Sequence, residues 1–272
     1  MTFRERIQEG LDGKYKGLSN GLNRINKYLF GIQRECYYLL GGLSGAAKTT
    51  FVDFVLLEAI QDARSKGIEI TVFYHSLEIN EHSKKANWLS MLIYNTFNVV
   101  IEPEKIKGFG ENKLSNEEIE LIERVLPELE SIWSSINWIW EATNPTGIYK
   151  DVFRHMSNKG EFLREPYLDE HGVEKQRIVK FIPKNPEAYH ILVMDHIALA
   201  KREKNFNLKE NLDKLSEYAV TLRNLFRWTI IYLQQFNQGL IKKKSQLICY
   251  FRLFVLYLFY GNYIQNYKHH KQ

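Results

Sequence analysis

The sequence predicts an α/β fold, a mostly parallel sheet with helices on both faces. Two observations carry that expectation. Short β-branched or aromatic runs alternate along the chain with segments whose apolar residues recur at helical spacing, as in strands joined by crossover helices. Polar residues able to do chemistry then fall at the C-terminal ends of those runs, the edge where open α/β sheets bind ligands. With 272 residues, the chain is long enough for one large domain with its own core.

The elements follow in order. Residues 1–35 are polar with scattered apolar positions and read as an N-terminal arm with a short helix. ECYYLL, Glu35 to Leu40, suits a buried parallel strand. KTTFVDFVLLEAIQDARSKG has helical spacing and stops at Gly67, a usual C-terminal punctuation. IEITVFYHSLEI is a second strand. LSNEEIELIERVLPELESI opens a helix with Ser115 as N-cap and Glu118 completing a capping box, while Leu114 and Ile119 are placed to form a hydrophobic staple. Pro127 is expected to kink or divide that helix. Ile136 to Thr143 is the third strand, and a short helix follows from Thr146. Residues 158–189 read as a loop or hairpin insertion with a turn at Asp169 to Gly172. YHILVMDHIALA is a buried strand ending at Asp195. Asn207 and Glu210 cap another helix, with Leu208, Leu212, Leu215, Ala219 and Leu222 along one side, and WTIIYLQQFNQ is the last strand. Trp133, Trp138 and Trp140 can stack on bases, but their place on or beside a buried strand favours core packing.

Composition excludes little. The net charge of +5 permits contact with nucleic acid without arguing for it, since an electrostatic footprint would be clustered. Cys36 and Cys249 lie far apart without metal spacing, so a disulfide framework is not expected and a reducing cytoplasm fits. The polar N-terminus lacks the apolar stretch of a signal peptide. Residues 239–272 form a crowded apolar and aromatic run with a basic end. Leu247 to Leu258 is too short for a membrane span, and Arg252 interrupts it. We read this tail as a terminal strand or helix on the core, or as a non-native ending from a frameshift or a truncated gene.

GGLSGAAKTT lies between the first strand and the first long helix, and it approximates the phosphate-binding pattern G-x-x-x-x-G-K-[ST]. Small residues let backbone N–H groups approach phosphate oxygens, a lysine neutralises the β- and γ-phosphates, a hydroxyl ligates Mg²⁺, and the helix adds its N-terminal dipole. The candidate loop is Gly42, Leu43, Ser44, Gly45, Ala46, Ala47, Lys48, Thr49 and Thr50, with Lys48 as the charge and Thr49 as the hydroxyl. Ala47 stands where the pattern has glycine. If its φ is positive, alanine costs on the order of 1–2 kcal/mol; if φ is negative, it costs little. The plainer reading is a glycine-rich turn before an ordinary helix.

Other residues extend the pattern. Asp195 ends a buried strand, as the second Mg²⁺ carboxylate of a P-loop ATPase does, and equally as a strand-capping aspartate does. Glu78 lies just past a strand, where it can activate water or be a solvated surface residue. Gln235 and Asn237 end another strand, where a polar pair can sense a γ-phosphate or simply begin a loop. Lys201, Arg202 and Lys204 read as a solvated charge run rather than a DNA site. His75 and His196 lack partners at ligand spacing and read as structural.

The ordered set GGLSGAAKTT, FYHSLEIN, ILVMDHIALA and IIYLQQFNQ resembles the RecA-like ATPase core of DnaB-type replicative helicases, over about residues 20–238. The resemblance implies a RecA-like P-loop NTPase domain at 21–238, an arm at 1–20 and an atypical tail at 239–272. It also implies ATP and Mg²⁺ as ligands. Lys48 would hold phosphate, Thr49 and Asp195 the metal, Glu78 would be the catalytic base and Gln235 the γ-phosphate sensor. The implied partners are single-stranded DNA, further copies in a homo-oligomeric, hexameric ring, and replisome proteins, in the cytoplasm or a host cytoplasm if phage-encoded, with no membrane. The implied function is ATP-driven translocation on single-stranded DNA in replication. The alternatives are a RecA-like DNA-binding or switch ATPase, and a truncated helicase that binds ATP without unwinding.

Overall fold

The computed structural model describes residues 2–13, 15–109 and 113–236. Asn237, Arg252, Cys249 and the tail at 239–272 lie outside the described residues.

Two short helices precede the sheet where the sequence suggested one: α1 (Phe3–Leu11), capped by Thr2, and α2 (Asn23–Leu29). Strand β1 (Tyr37–Gly42) leads through the glycine-rich loop into α3 (Lys48–Ser65). Then come β2 (Ile70–Ser76), α4 (Glu81–Phe97), the single turn α5 (Pro103–Ile106), α6 (Asn116–Ser134), β3 (Ile136–Ile139) and α7 (Pro145–Ser157). A hairpin, β4 (Gly160–Leu168) with β5 (Glu174–Pro183), interrupts the alternation. Strand β6 (Tyr189–Asp195), α8 (Leu208–Phe226) and β7 (Thr229–Gln235) complete the described chain.

The central sheet has five strands in the order β1-β7-β6-β2-β3, and every neighbouring pair is parallel. Strand β6 lies in the middle of it, and all seven of its residues are buried. This explains its unbroken apolar run, because a strand covered on both faces has no polar side. Ile191 and Val193 join a core built with α3, α4 and α6, whereas Leu192 and Met194 join one built with α7 and α8. Strand β7 divides the same way, with Ile231 and Leu233 on the first face and Ile230 and Tyr232 on the second. The sheet is therefore parallel with helices on both faces, as predicted.

Both capping boxes form. The Ser115 hydroxyl accepts from the Glu118 N–H at 3.2 Å and the Glu118 carboxylate accepts from the Ser115 N–H at 2.7 Å, and Asn207 and Glu210 repeat the arrangement at α8. The three tryptophans are core residues: Trp133 and Trp138 stack at 4.2 Å, and Trp138 and Trp140 at 5.3 Å, against the α4 side of the sheet.

Several expectations need correction. Helix α6 runs through Pro127 and is not divided there. Pro127 is exposed, and so is Glu123, whose carbonyl loses its helical donor and can turn to water. Val125, Leu129, Ile132 and Trp133 hold the opposite side of the helix in the core. Strand β3 stops at Ile139 rather than Thr143, because the chain leaves the sheet for the Asn144 N-cap of α7, which starts at Pro145. On α8, Leu215, Ala219 and Leu222 are buried, but Leu208, at the helix start, stays 40% exposed. Among the described residues no helix is long and apolar enough to cross a membrane.

Candidate functional site

The loop after β1 is shaped by its small residues. Strand β1 continues through Gly41 and Gly42 before the chain turns. A side chain at Gly41 would meet the ring of Phe236 at 2.2 Å, so glycine lets that half-exposed ring lie across the strand. Gly45 has φ +71° with open space around it, and Ala47 has φ 55° and ψ 28°. Ala47 thus occupies the left-handed region, where a glycine would be unstrained, and it is the N-cap of α3. It exposes the first N–H groups of the helix beside Lys48 and Thr49 without a side-chain cap. The Lys48 ammonium rests on the carbonyl of Leu43 at 2.8 Å, and the Ala46 N–H points at the same oxygen from 3.2 Å. The loop therefore curls around the lysine. Ser44, Gly45 and Thr50 are exposed.

Lys48 is only partly buried. Burial lowers its pKa from the ordinary value, and the carboxylates of Glu78 and Asp195 pull it back up. Those two acids act on the Lys48 charge from different places, Asp195 from the end of β6 and Glu78 from the turn after β2. Asp195, at the end of β6, is 1% exposed. Its Oδ2 accepts a 2.6 Å hydrogen bond from the Thr49 hydroxyl. Its Oδ1 is buried and has no hydrogen-bond partner among the described residues. Its backbone carbonyl accepts from the Leu77 N–H at 2.9 Å, and Asp195 pairs in register with Ser76. Glu78 follows directly, exposed, in the turn between β2 and α4.

Gln235 stands on the other side of the loop. It ends β7, half-buried, in register with Gly42, so β7 brings it to the strand that leads into the loop. Gln234, one residue earlier, donates to the Gln235 carbonyl at 2.8 Å and keeps a buried Oε1 without a partner among the described residues. Sequence reasoning passed over Gln234 and Gly41. The signal for Gln234 was present, since β7 turns polar at both of its last positions. Gly41 became meaningful only when Phe236 was seen to cross it.

Lys48, Thr49, Glu78, Asp195 and Gln235 are therefore gathered at one edge of the sheet. The Thr49 hydroxyl and the Asp195 carboxylate form an oxygen pair of the kind Mg²⁺ takes, and the orphaned Oδ1 supplies a free lone pair on a buried carboxylate. The residues present fit that ion. His75, on β2, is buried, and burial lowers its pKa to about 4. The His196 Nδ1 is buried without a partner among the described residues. Those residues hold no cluster of three or more His, Cys, Asp or Glu able to bind a metal. Lys201, Arg202 and Lys204 are exposed in the segment after β6.

The fold, a parallel sheet covered by helices on both faces, is similar to that of two solved structures. One similar solved structure is of a DnaB-like replicative helicase and its interactions with primase. It superposes with a TM-score of 0.62 at 16% identity, covering 87% of this chain and 47% of that one. Another similar solved structure is of an ATPase domain, with a TM-score of 0.62 at 14% identity, covering 88% of this chain and 72% of that one. The chain thus spans about half the length of the DnaB-like helicase. No family model matches the chain, and no curated protein does.

Proposed function

We propose that this chain is an ATP hydrolase of the DnaB helicase type, using residues 21–238 as its ATPase domain after an arm at 1–20. The hydrogen bond from Thr49 to Asp195 carries the reading most directly. It joins the phosphate-loop hydroxyl to an acid at the end of a nearby buried strand, and it leaves one buried carboxylate oxygen free.

In this reading the N–H groups of Gly42, Leu43, Ser44, Gly45, Ala46 and Ala47, with those opening α3 at Lys48, Thr49 and Thr50, wrap the phosphates. The Lys48 ammonium leaves the Leu43 carbonyl for a phosphate oxygen. Thr49 and Asp195 hold Mg²⁺, which when bound neutralises charge on the phosphate oxygens. Glu78 accepts the proton of the attacking water and aligns that water with the γ-phosphorus. Gln235 hydrogen-bonds the γ-phosphate from the β7 side and reports its loss to the segment that follows.

We extend the reading to single-stranded DNA as the track, a homo-oligomeric ring as the assembly and replisome proteins as partners. The order of the motifs and the likeness of fold to the DnaB-like helicase support this. The test is the ATP hydrolysis rate of the full chain with and without single-stranded DNA, alongside particle mass and strand displacement. DNA-stimulated hydrolysis with displacement by a ring supports the helicase. Stimulated hydrolysis without displacement supports a RecA-like switch, and nucleotide binding by a monomer without hydrolysis supports an ATP-binding fragment.

A further inference from the structure

Beneath the site lies a closed triangle of polar groups. The Lys84 ammonium is 2.9 Å from Asp53 Oδ1 and donates to the Tyr74 hydroxyl at 2.7 Å. That hydroxyl in turn donates to the same Asp53 oxygen at 2.9 Å. The side chains of Lys84 and Asp53 are both 0% exposed. Burial pushes the Asp53 carboxyl up from its ordinary pKa, and the Lys84 charge and the two hydrogen bonds hold it down. Replacing a fully buried ion pair by apolar residues of the same volume is often neutral or stabilising, which leaves room for a role beyond packing here.

Its placement suggests what it does. Asp53 lies one helical turn after Thr49 on α3, on the same side of that helix. Tyr74 precedes Glu78 on β2, and Lys84 follows it in the first turns of α4. Both flanks of the Glu78 segment are therefore fastened to one carboxylate oxygen on the helix that carries Lys48 and Thr49. Within the segment, the Ser76 hydroxyl donates to the Ile79 carbonyl at 2.9 Å, and the Asn80 side chain caps α4 through the Ser83 N–H at 3.0 Å.

We propose that Asp53, Tyr74 and Lys84 are positioning residues that fix Glu78 relative to the Lys48–Thr49 loop for the hydrolytic step. This rests on the ATPase reading above. The triangle sets how far the Glu78 turn stands from the phosphate loop, and it does so without touching ATP.

The test compares full-length wild type with the double variant Asp53→Leu/Lys84→Met, which replaces the pair by apolar groups of similar volume. Affinity is read with a fluorescent ATP analogue and Mg²⁺, and hydrolysis of ATP in single turnovers. The expected result is affinity within about threefold of wild type and hydrolysis lowered roughly 10- to 100-fold. Placed in a Glu78→Gln background, the same pair of changes should lower hydrolysis no further, because the group being positioned has gone. Tyr74→Phe, which keeps the ring and removes only the hydroxyl, should lower hydrolysis several-fold at unchanged affinity, and it serves as the test if the double variant does not fold. Wild-type hydrolysis in a folded variant, an equal loss in the Glu78→Gln background, or affinity and rate falling in step would each overturn the positioning role and leave the ATPase reading standing. A wild-type chain that binds no ATP would overturn both.

Discussion

The Thr49 hydroxyl donates a 2.6 Å hydrogen bond to Asp195 Oδ2 across a separation of 146 positions in the chain. Strand β1 delivers Thr49 through the phosphate loop and β6 delivers Asp195, with β7 lying between those strands. Their meeting places a buried carboxylate beside the glycine-rich turn.

Asp195→Asn keeps the shape and removes the charge, so it should leave the fold intact and abolish the contribution of Mg²⁺ to ATP binding. The wild type should bind ATP roughly tenfold or more tightly with Mg²⁺ than with a chelator. The variant should bind equally in both. A variant that keeps the Mg²⁺ effect would remove Asp195 from the metal site.

Lys48→Ala should weaken ATP binding by about a hundredfold or more, since it deletes the cation that the proposed function assigns to the phosphates. The side chain's own contact is the Leu43 carbonyl, so circular dichroism and the unfolding midpoint should change little. Unchanged binding would sink the phosphate-loop assignment.

Ala47→Gly tests the left-handed backbone. Alanine at φ 55° carries strain that glycine does not, partly offset by the greater freedom of glycine in the unfolded chain. Glycine should stabilise the protein by about 0.5–1 kcal/mol in urea unfolding. A loss of stability would show that the methyl group contributes packing that outweighs the strain.

The pH dependence of stability should show the buried histidine of β2. Burial lowers His75 from 6.5 to about 4, so the fold favours its neutral form. The stability this contributes is complete above pH 6.5 and is lost as pH falls toward 4, at up to about 1.4 kcal/mol per pH unit. Urea midpoints measured between pH 7 and pH 4 should fall less steeply for His75→Leu than for wild type. Parallel curves would show that His75 does not carry the effect.

Much of the fold was legible because its strands and helices declare themselves locally. The unbroken apolar run at Ile191 to Met194 read as a buried strand and is one covered on both faces, and Ser115 with Glu118 marked a helix start that formed as read. Pro127 misled, because its penalty depends on which way the residue faces, and a solvent-facing proline leaves its unpaired carbonyl to water. Lys48, Thr49, Glu78, Asp195 and Gln235 could be picked out singly, since each sits just past or within a recognisable element. Their meeting depends on strand order, which periodicity does not encode. The Asp53–Tyr74–Lys84 triangle was hidden for the same reason. A charged residue inside a helical pattern reads as solvated until the neighbouring helix and strand are placed against it.

In the proposed function, Glu78 activates water against ATP held by Lys48, Thr49 and Asp195. The most direct test is Mg²⁺-dependent phosphate release by the full chain and by Glu78→Gln, with both saturated in ATP and with single-stranded DNA present or absent. The expected result is hydrolysis by the wild type, faster with DNA, and a Glu78→Gln variant that binds ATP normally but releases phosphate about 10²- to 10⁴-fold more slowly. Equal rates for the two proteins, or a wild type that holds ATP without hydrolysing it, would overturn this role of Glu78.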